Sequence, residues 1–69
     1  MTHIERMELE LKELNEKIEK ATKFLEEEIE NPNKTNEIQR IKLACQIEHM
    51  ISYAYTIKER IDYDKDLNK

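Results

Sequence analysis

Two stretches of apolar residues spaced by sevens, joined by one short polar segment, constrain this fold most strongly. The first stretch contains two interleaved heptad series, namely Ile4, Leu11, Ile18 and Leu25, and Met7, Leu14 and Ala21. Such a repeat lays one narrow apolar seam along an α-helix, as in coiled coils. The chain has no glycine and only one proline, a composition that favours long helices over sheet. The sequence therefore predicts an all-α fold.

The segment ENPNKTN, residues 30–36, predicts a turn between two helices. Asn31 precedes Pro32, and a residue before proline tends to avoid helical geometry. Thr35 and Asn36 are both good N-cap residues, so either one can start the second helix. The chain is therefore expected to reverse direction here.

A capping box marks the start of the first helix, because the Thr2 side chain can accept the backbone N–H of Glu5 while Glu5 reaches back to Thr2. We predict a single helical domain over residues 1–69, folded as an antiparallel hairpin of two long helices. Its segments are helix 1 at about 3–30, a turn at 31–36, helix 2 at about 37–63 and a frayed tail at 64–69.

The second helix has more apolar surface than one partner helix can cover. Its main seam consists of Leu43, Ile47, Met50, Ala54, Ile57 and Ile61, and a second patch consists of Ile38, Ile41 and Cys45. A single core in a chain this small rarely supplies more than roughly 3–5 kcal/mol without staples. One cysteine cannot form an internal disulfide, so the surplus apolar surface predicts a homo-oligomeric helical bundle.

The distribution of charge limits the classes of partner. The net charge is −4, with five basic and ten acidic side chains in residues 1–31 and seven and six in residues 32–69. A protein that binds a DNA or RNA duplex normally presents a basic stripe, which this pattern disfavours. No apolar run approaches the ~20 residues of a membrane span. The charged N-terminal segment and the free thiol predict a cytoplasmic protein that binds no membrane.

Catalysis and metal binding have little support in the sequence. His3 and His49 have no triad-like partners, and the single thiol of Cys45 on an apolar patch is most often a small core residue. The carboxylates of residues 26–28 lack calcium-loop spacing and are interpreted as solvated surface. We expect a protein that is not an enzyme and that uses no metal and no cofactor.

Three polar residues recur seven apart beside the main seam of the second helix. Gln46, Tyr53 and Arg60 each follow an apolar seam residue by three positions, so they project next to the buried face. One interpretation places them at the edge of an oligomer seam, where they set the register and extend their tips into water. The other is a ligand cleft, because an amide, a phenol and a guanidinium offer hydrogen bonds, a stacking surface and a phosphate fork.

The first helix contributes a comparable set of residues. Lys17, Lys20 and Phe24 share a face at spacings of three and four, and Arg6 lies eleven residues before Lys17. Two ammonium groups beside an aromatic ring suit a nucleotide. The alternative is that the lysines belong to a solvated ion-pair face and that Phe24 lies in the core.

Several short motifs resemble a group of small phage proteins that includes the anti-CBASS cyclic-nucleotide sponges. They are R-M at Arg6–Met7, L-x3-I-E-K at Leu14–Lys20, F-L at Phe24–Leu25 and Q-x3-M-x2-Y-x6-R-I at Gln46–Ile61. The resemblance implies a helical homo-oligomer, typically a hexamer, that sequesters cyclic di- and trinucleotides between protomers without cleaving them. The matching binding candidates are Arg6, Lys20, Phe24, Tyr53 and Arg60.

Two hypotheses of different classes follow. The first is a phage anti-defence protein that captures cyclic dinucleotides or cyclic trinucleotides in the cytoplasm of the infected bacterium and so blocks CBASS-type signalling. Its candidate ligand-binding residues are Arg6, Lys17, Lys20, Phe24, Gln46, Tyr53 and Arg60. The second is a self-assembling helical scaffold or adaptor whose partner is another protein.

Overall fold

A computed structural model describes residues 2–67 as two long helices, and no strand occurs within that range. The helix α1 spans His3–Glu30 and α2 spans Glu37–Leu67. The N-terminal end of α1 contacts the C-terminal end of α2, so the helices run antiparallel. The hairpin is elongated, with extents of 50 × 17 × 14 Å. The predicted all-α class is confirmed.

Side-chain caps start both helices. The Thr2 Oγ1 atom accepts the Glu5 backbone N–H at 3.1 Å, and the Thr2 hydroxyl donates to Glu5 Oε1 at 3.1 Å. The reciprocal bond of this cap therefore uses the hydroxyl and not the Thr2 backbone. At α2 the cap is Asn36, whose Oδ1 accepts the Gln39 N–H at 2.8 Å while Gln39 Oε1 accepts the Asn36 N–H at 2.8 Å. Two orphan N–H groups are satisfied there at once.

A buried carboxylate holds the turn together. Glu28 Oε1 accepts the Lys34 N–H at 2.8 Å, the Thr35 hydroxyl at 2.9 Å and the Asn33 N–H at 3.4 Å. The Lys34 N–H is the main reason that the pKa of Glu28 lies below its ordinary value, because hydrogen bonds to a carboxylate favour its charged form. Arg40 completes the turn by donating to the Thr35 carbonyl at 2.7 Å. The prediction that residues 26–28 are all solvated surface is wrong for Glu28, which is 5% exposed.

The heptad seams of the two helices form the core. Within residues 2–67 the buried apolar side chains are Met7, Ile47, Ala54, Ile57 and Ile61. Met7 packs with Ile57 and Ile61, and Ile4, Leu11 and Leu14 lie partly buried against them. Ile57 is the most enclosed, at 1% exposed. The core is one thin layer between two helices, which leaves the outer surface of each helix uncovered.

The helix α2 ends four residues later than the sequence predicts. Residues 64–67 continue it as regular helix, whereas the sequence predicts a frayed tail at 64–69; residues 68 and 69 lie outside the described residues. Contacts with α1 support this last turn, since His3 Nε2 lies 3.3 Å from Asp64 Oδ2 and Lys65 Nζ lies 3.8 Å from Glu8 Oε1. The apolar heptad pattern ends before residue 64. It therefore cannot predict these contacts between the two helices.

Candidate functional site

The outer surface of α2 is apolar over much of its circumference. Ile38 and Ile41 are 64% and 57% exposed, and Cys45 next to them is also exposed. Elsewhere on the helix, Ile51 and Tyr55 are exposed to a similar degree. In this hairpin Cys45 is therefore not a core residue. A helix that is apolar on several sides normally lies inside a larger assembly.

An open groove runs along the middle of this surface. Its volume is about 500 Å³, and its walls come from α2 alone: Ile41, Lys42, Cys45, Gln46, His49, Met50 and Tyr53. Gln46 and Tyr53 are the two predicted site residues that share the groove. Lys42 is not among the residues predicted from the sequence, and His49 was considered there only for catalysis or metal binding. Both lie on the same side of the helix as Gln46, four residues before it and three after it.

Tyr53 connects the two helices on one side of the seam. Its hydroxyl donates to Glu10 Oε1 at 2.5 Å, and the residue as a whole is 49% exposed. The hydrogen bond to Glu10 raises the pKa of Tyr53, the carboxylate charge raises it further, and the positive charge of Arg60 opposes both effects. The phenol is thus anchored at its tip while much of its ring remains accessible. No local pattern predicts this partner, because the two residues lie 43 positions apart.

The contact between Tyr53 and Glu10 shows which sides of the two helices adjoin. On α1, Arg6, Glu10, Lys17 and Phe24 follow one another at intervals of four, seven and seven, so they lie on one stripe, with Lys20 beside it. On α2, Gln46, Tyr53 and Arg60 form a stripe at intervals of seven. We call these eight residues together the front face of the hairpin. All seven predicted site residues lie on it.

Within residues 2–67, the front face does not close into a single pocket. Gln46 and Arg60 are fourteen residues apart on α2, or roughly 21 Å along the helix axis. Arg60 borders a separate depression near the chain ends, together with Tyr63 and Asp64. Phe24, at 36% exposed, lies at the opposite end of the hairpin beside the turn.

The cations of α1 are spread in the same way. Arg6, Lys17 and Lys20 are exposed along the helix, with Arg6 towards the end that holds Arg60 and Lys20 towards the end that holds Phe24. The structure therefore brings together Tyr53 with Gln46, and Tyr53 electrostatically with Arg60, but not the whole set. One protomer offers a cationic, aromatic surface and not an enclosed site.

Other kinds of site are not found in the described part of the chain. No group of three or more His, Cys, Asp or Glu side chains is arranged to hold a metal ion among residues 2–67. Over the same residues, neither helix has a stretch both long and apolar enough to cross a membrane.

Comparison with known proteins identifies the family of this chain through a family model. Neither curated proteins nor solved structures provide a match to this chain. The Sequestin family model matches residues 1–63, which include α1, the turn and all of α2 except its last turn. This family consists of binding proteins and not of enzymes. The chain therefore belongs to the Sequestin family of small phage anti-CBASS proteins that act as cyclic-nucleotide sponges.

Proposed function

We propose that this protein sequesters cyclic dinucleotides, cyclic trinucleotides or both, without cleaving them, and so blocks CBASS-type immune signalling in the cytoplasm of the infected bacterium. The ligand is held between copies of the chain in a homo-oligomer, which the family resemblance suggests is a hexamer. The observation that carries the proposal is the front face. There the half-exposed Tyr53 borders the groove and shares the face with cations of both helices.

The chemistry of the front face suits a cyclic nucleotide. Each phosphodiester carries one negative charge, for which Arg60, Arg6 and the lysines of α1 provide counter-charges. Each base offers a flat aromatic surface, for which Tyr53 and Phe24 provide stacking partners. The Gln46 amide adds a donor and an acceptor for a base edge. One face thus holds the three kinds of contact that a cyclic nucleotide needs.

Assembly supplies the enclosure that one chain lacks. The groove beside Tyr53 is walled by α2 alone and is continuous with the exposed Ile41 and Cys45. A second copy placed on this apolar surface would cover it and form the missing wall of a pocket. Rotational symmetry would then present the same residues to each half of a cyclic ligand.

The contact energies are of the order that capture of a small ligand requires. Stacking contributes about 1–3 kcal/mol per base, and a hydrogen bond to a charged group contributes about 1.5–3 kcal/mol. Two contacts of each kind, repeated by symmetry, total about 5–12 kcal/mol, which is of the same order as the cost of association, about 4–15 kcal/mol. No bond has to be broken, which agrees with a family of binding proteins.

The experiment compares Arg60→Ala with Lys58→Ala by calorimetric titration with a panel of cyclic di- and trinucleotides. Both variants remove one exposed cation from α2, but Lys58 lies outside the front face. We expect Arg60→Ala to weaken binding at least tenfold and Lys58→Ala to bind like wild type, with both assemblies unchanged in size.

The same comparison tests the alternative of a self-assembling scaffold or adaptor that binds another protein. The exposed apolar side chains of α2 are also compatible with that function. It predicts that no nucleotide of the panel binds to the wild type, and that Arg60→Ala and Tyr53→Ala alter the size or melting temperature of the oligomer. That result would count against sequestration.

A further inference from the structure

Glu10 is an acidic residue on a stripe that is otherwise cationic and aromatic. It lies four residues after Arg6 and seven before Lys17, and its carboxylate accepts the hydroxyl of Tyr53 at 2.5 Å. In a site that only attracts anions, a negative charge at this position would lower the affinity for the ligand. Its placement beside an exposed aromatic ring therefore needs an explanation.

We propose that Glu10 is a specificity-determining residue, which lets the front face accept nucleotides with internal phosphodiesters and disfavours linear nucleotides with a terminal phosphate. This inference rests on the proposed function, since it concerns the choice among nucleotides at the same surface. Glu10 has two effects: it fixes the tip of the Tyr53 ring by a hydrogen bond, and it opposes excess negative charge nearby.

The position of Glu10 makes its charge effective. Arg6 is roughly 6 Å away along the helix axis and Lys17 roughly 10 Å away, so a phosphate held by either cation beside Tyr53 lies near the carboxylate. The raised pKa of Tyr53 agrees with this position: the hydrogen bond to Glu10 is its largest cause, and the charge of Glu10 adds to it by disfavouring a second negative charge on the phenol. A phosphate of higher charge is subject to the same repulsion.

Cyclic and linear nucleotides differ in the charge of the phosphate group that the linear form carries at its end. A phosphodiester carries one negative charge, whereas a terminal phosphate monoester carries about 1.5 to 2 at pH 7. The extra half to one charge, placed about 7 Å from Glu10 at an effective dielectric constant of about 40, between the values for a protein surface and for water, weakens binding roughly three- to sevenfold. Linear nucleotides are abundant in any cell, so a protein that must capture a cyclic messenger benefits from this discrimination.

The test measures the dissociation constants of the full-length oligomer for a cyclic diadenylate and for its ring-opened form, which has a 5′ terminal phosphate. The measurement is repeated with a cyclic triadenylate and its ring-opened form. The variants are Glu10→Gln, which keeps an acceptor for Tyr53 but removes the charge, and Glu19→Gln as a matched control. Glu19 borders a depression on the opposite side of the seam, together with Leu11 and Lys12.

We expect the preference of the wild type for the cyclic form to fall about fivefold in Glu10→Gln and to stay unchanged in Glu19→Gln. An unchanged preference in Glu10→Gln, with both forms still bound, would overturn this inference and leave the proposed function intact. A wild type that binds no cyclic nucleotide of the panel described above would overturn the proposed function, and this inference with it.

A second readout does not depend on ligand. Nuclear magnetic resonance of labelled tyrosine rings follows the titration of Tyr53, with Tyr55 and Tyr63 as internal references. Glu10→Gln is expected to lower the pKa of Tyr53, because the carboxylate charge is gone. A Tyr53 pKa that does not change would show that the charge of Glu10 does not act on the phenol in solution, which also overturns the inference.

Discussion

At the scale of single residues, Glu28 shows how one side chain can organise a turn. It lies within a run of three glutamates, yet it alone reaches the turn, where it accepts hydrogen bonds from two backbone N–H groups and from the Thr35 hydroxyl. A carboxylate used in this way must stay ionised in the folded state. The stability of the hairpin should therefore depend on pH through this residue.

Glu28→Gln should lower the melting temperature by several degrees at pH 7, because an amide oxygen accepts these bonds less strongly than a carboxylate. The folded-state pKa of Glu28 lies below its ordinary value of 4.5, so its contribution is present above the unfolded pKa and is lost as pH falls through the folded pKa. Thermal melts between pH 7 and pH 3 should show that the deficit, the difference in melting temperature between wild type and Glu28→Gln, becomes smaller as the pH falls. Glu26→Gln, at an exposed position, is the control. A deficit that stays constant with pH would contradict the assigned role of Glu28.

At the scale of secondary-structure elements, the packing of α1 on α2 depends on a few seam residues. Ile57→Ala removes the most enclosed side chain, which is 1% exposed and packs against Met7. It should reduce the free energy of unfolding by about 2–5 kcal/mol, from lost transfer energy and the cavity that remains. The same truncation at Ile29, which is 62% exposed, should cost much less. Denaturant titration measures the loss of unfolding free energy in both variants. Equal losses would mean that the seam is not where the structure places it.

Local patterns explain which features of these elements could be predicted. The heptads specify both seams because a helix repeats its faces within a few residues, and Thr2 and Asn36 are caps whose partners lie three positions away. The last turn of α2 was not predicted, because its contacts, such as Asp64 with His3, cross between the helices. The hydrogen bond from Tyr53 to Glu10 could not be predicted for the same reason, because it joins the two helices.

The candidate site was predictable as a face but not as a pocket. Heptad spacing placed Gln46, Tyr53 and Arg60 on one stripe, and the hairpin puts this stripe beside that of α1. Whether these residues surround a common ligand depends on how copies of the chain meet, which no single-chain pattern contains. The seven site residues therefore stay a prediction that binding experiments must test.

At the scale of the whole molecule, we expect copies of this chain to cover the apolar outer surface of α2. Ile38 and Ile41 are each more than half exposed in the hairpin, and burying such side chains contributes about 1.5–3 kcal/mol each. One hairpin with a thin core cannot provide this cover for itself. Assembly and ligand capture are thus expected to be lost together.

Native mass spectrometry distinguishes assembled from free chains, using low micromolar protein, a mixture of cyclic di- and trinucleotides, and the double variant Ile38→Asp/Ile41→Asp. We expect the wild type to appear as a discrete assembly of several chains with nucleotide bound, and the variant to appear as free chains without nucleotide. A wild type that remains a folded single chain, or an assembly that takes up no cyclic nucleotide, would contradict this expectation.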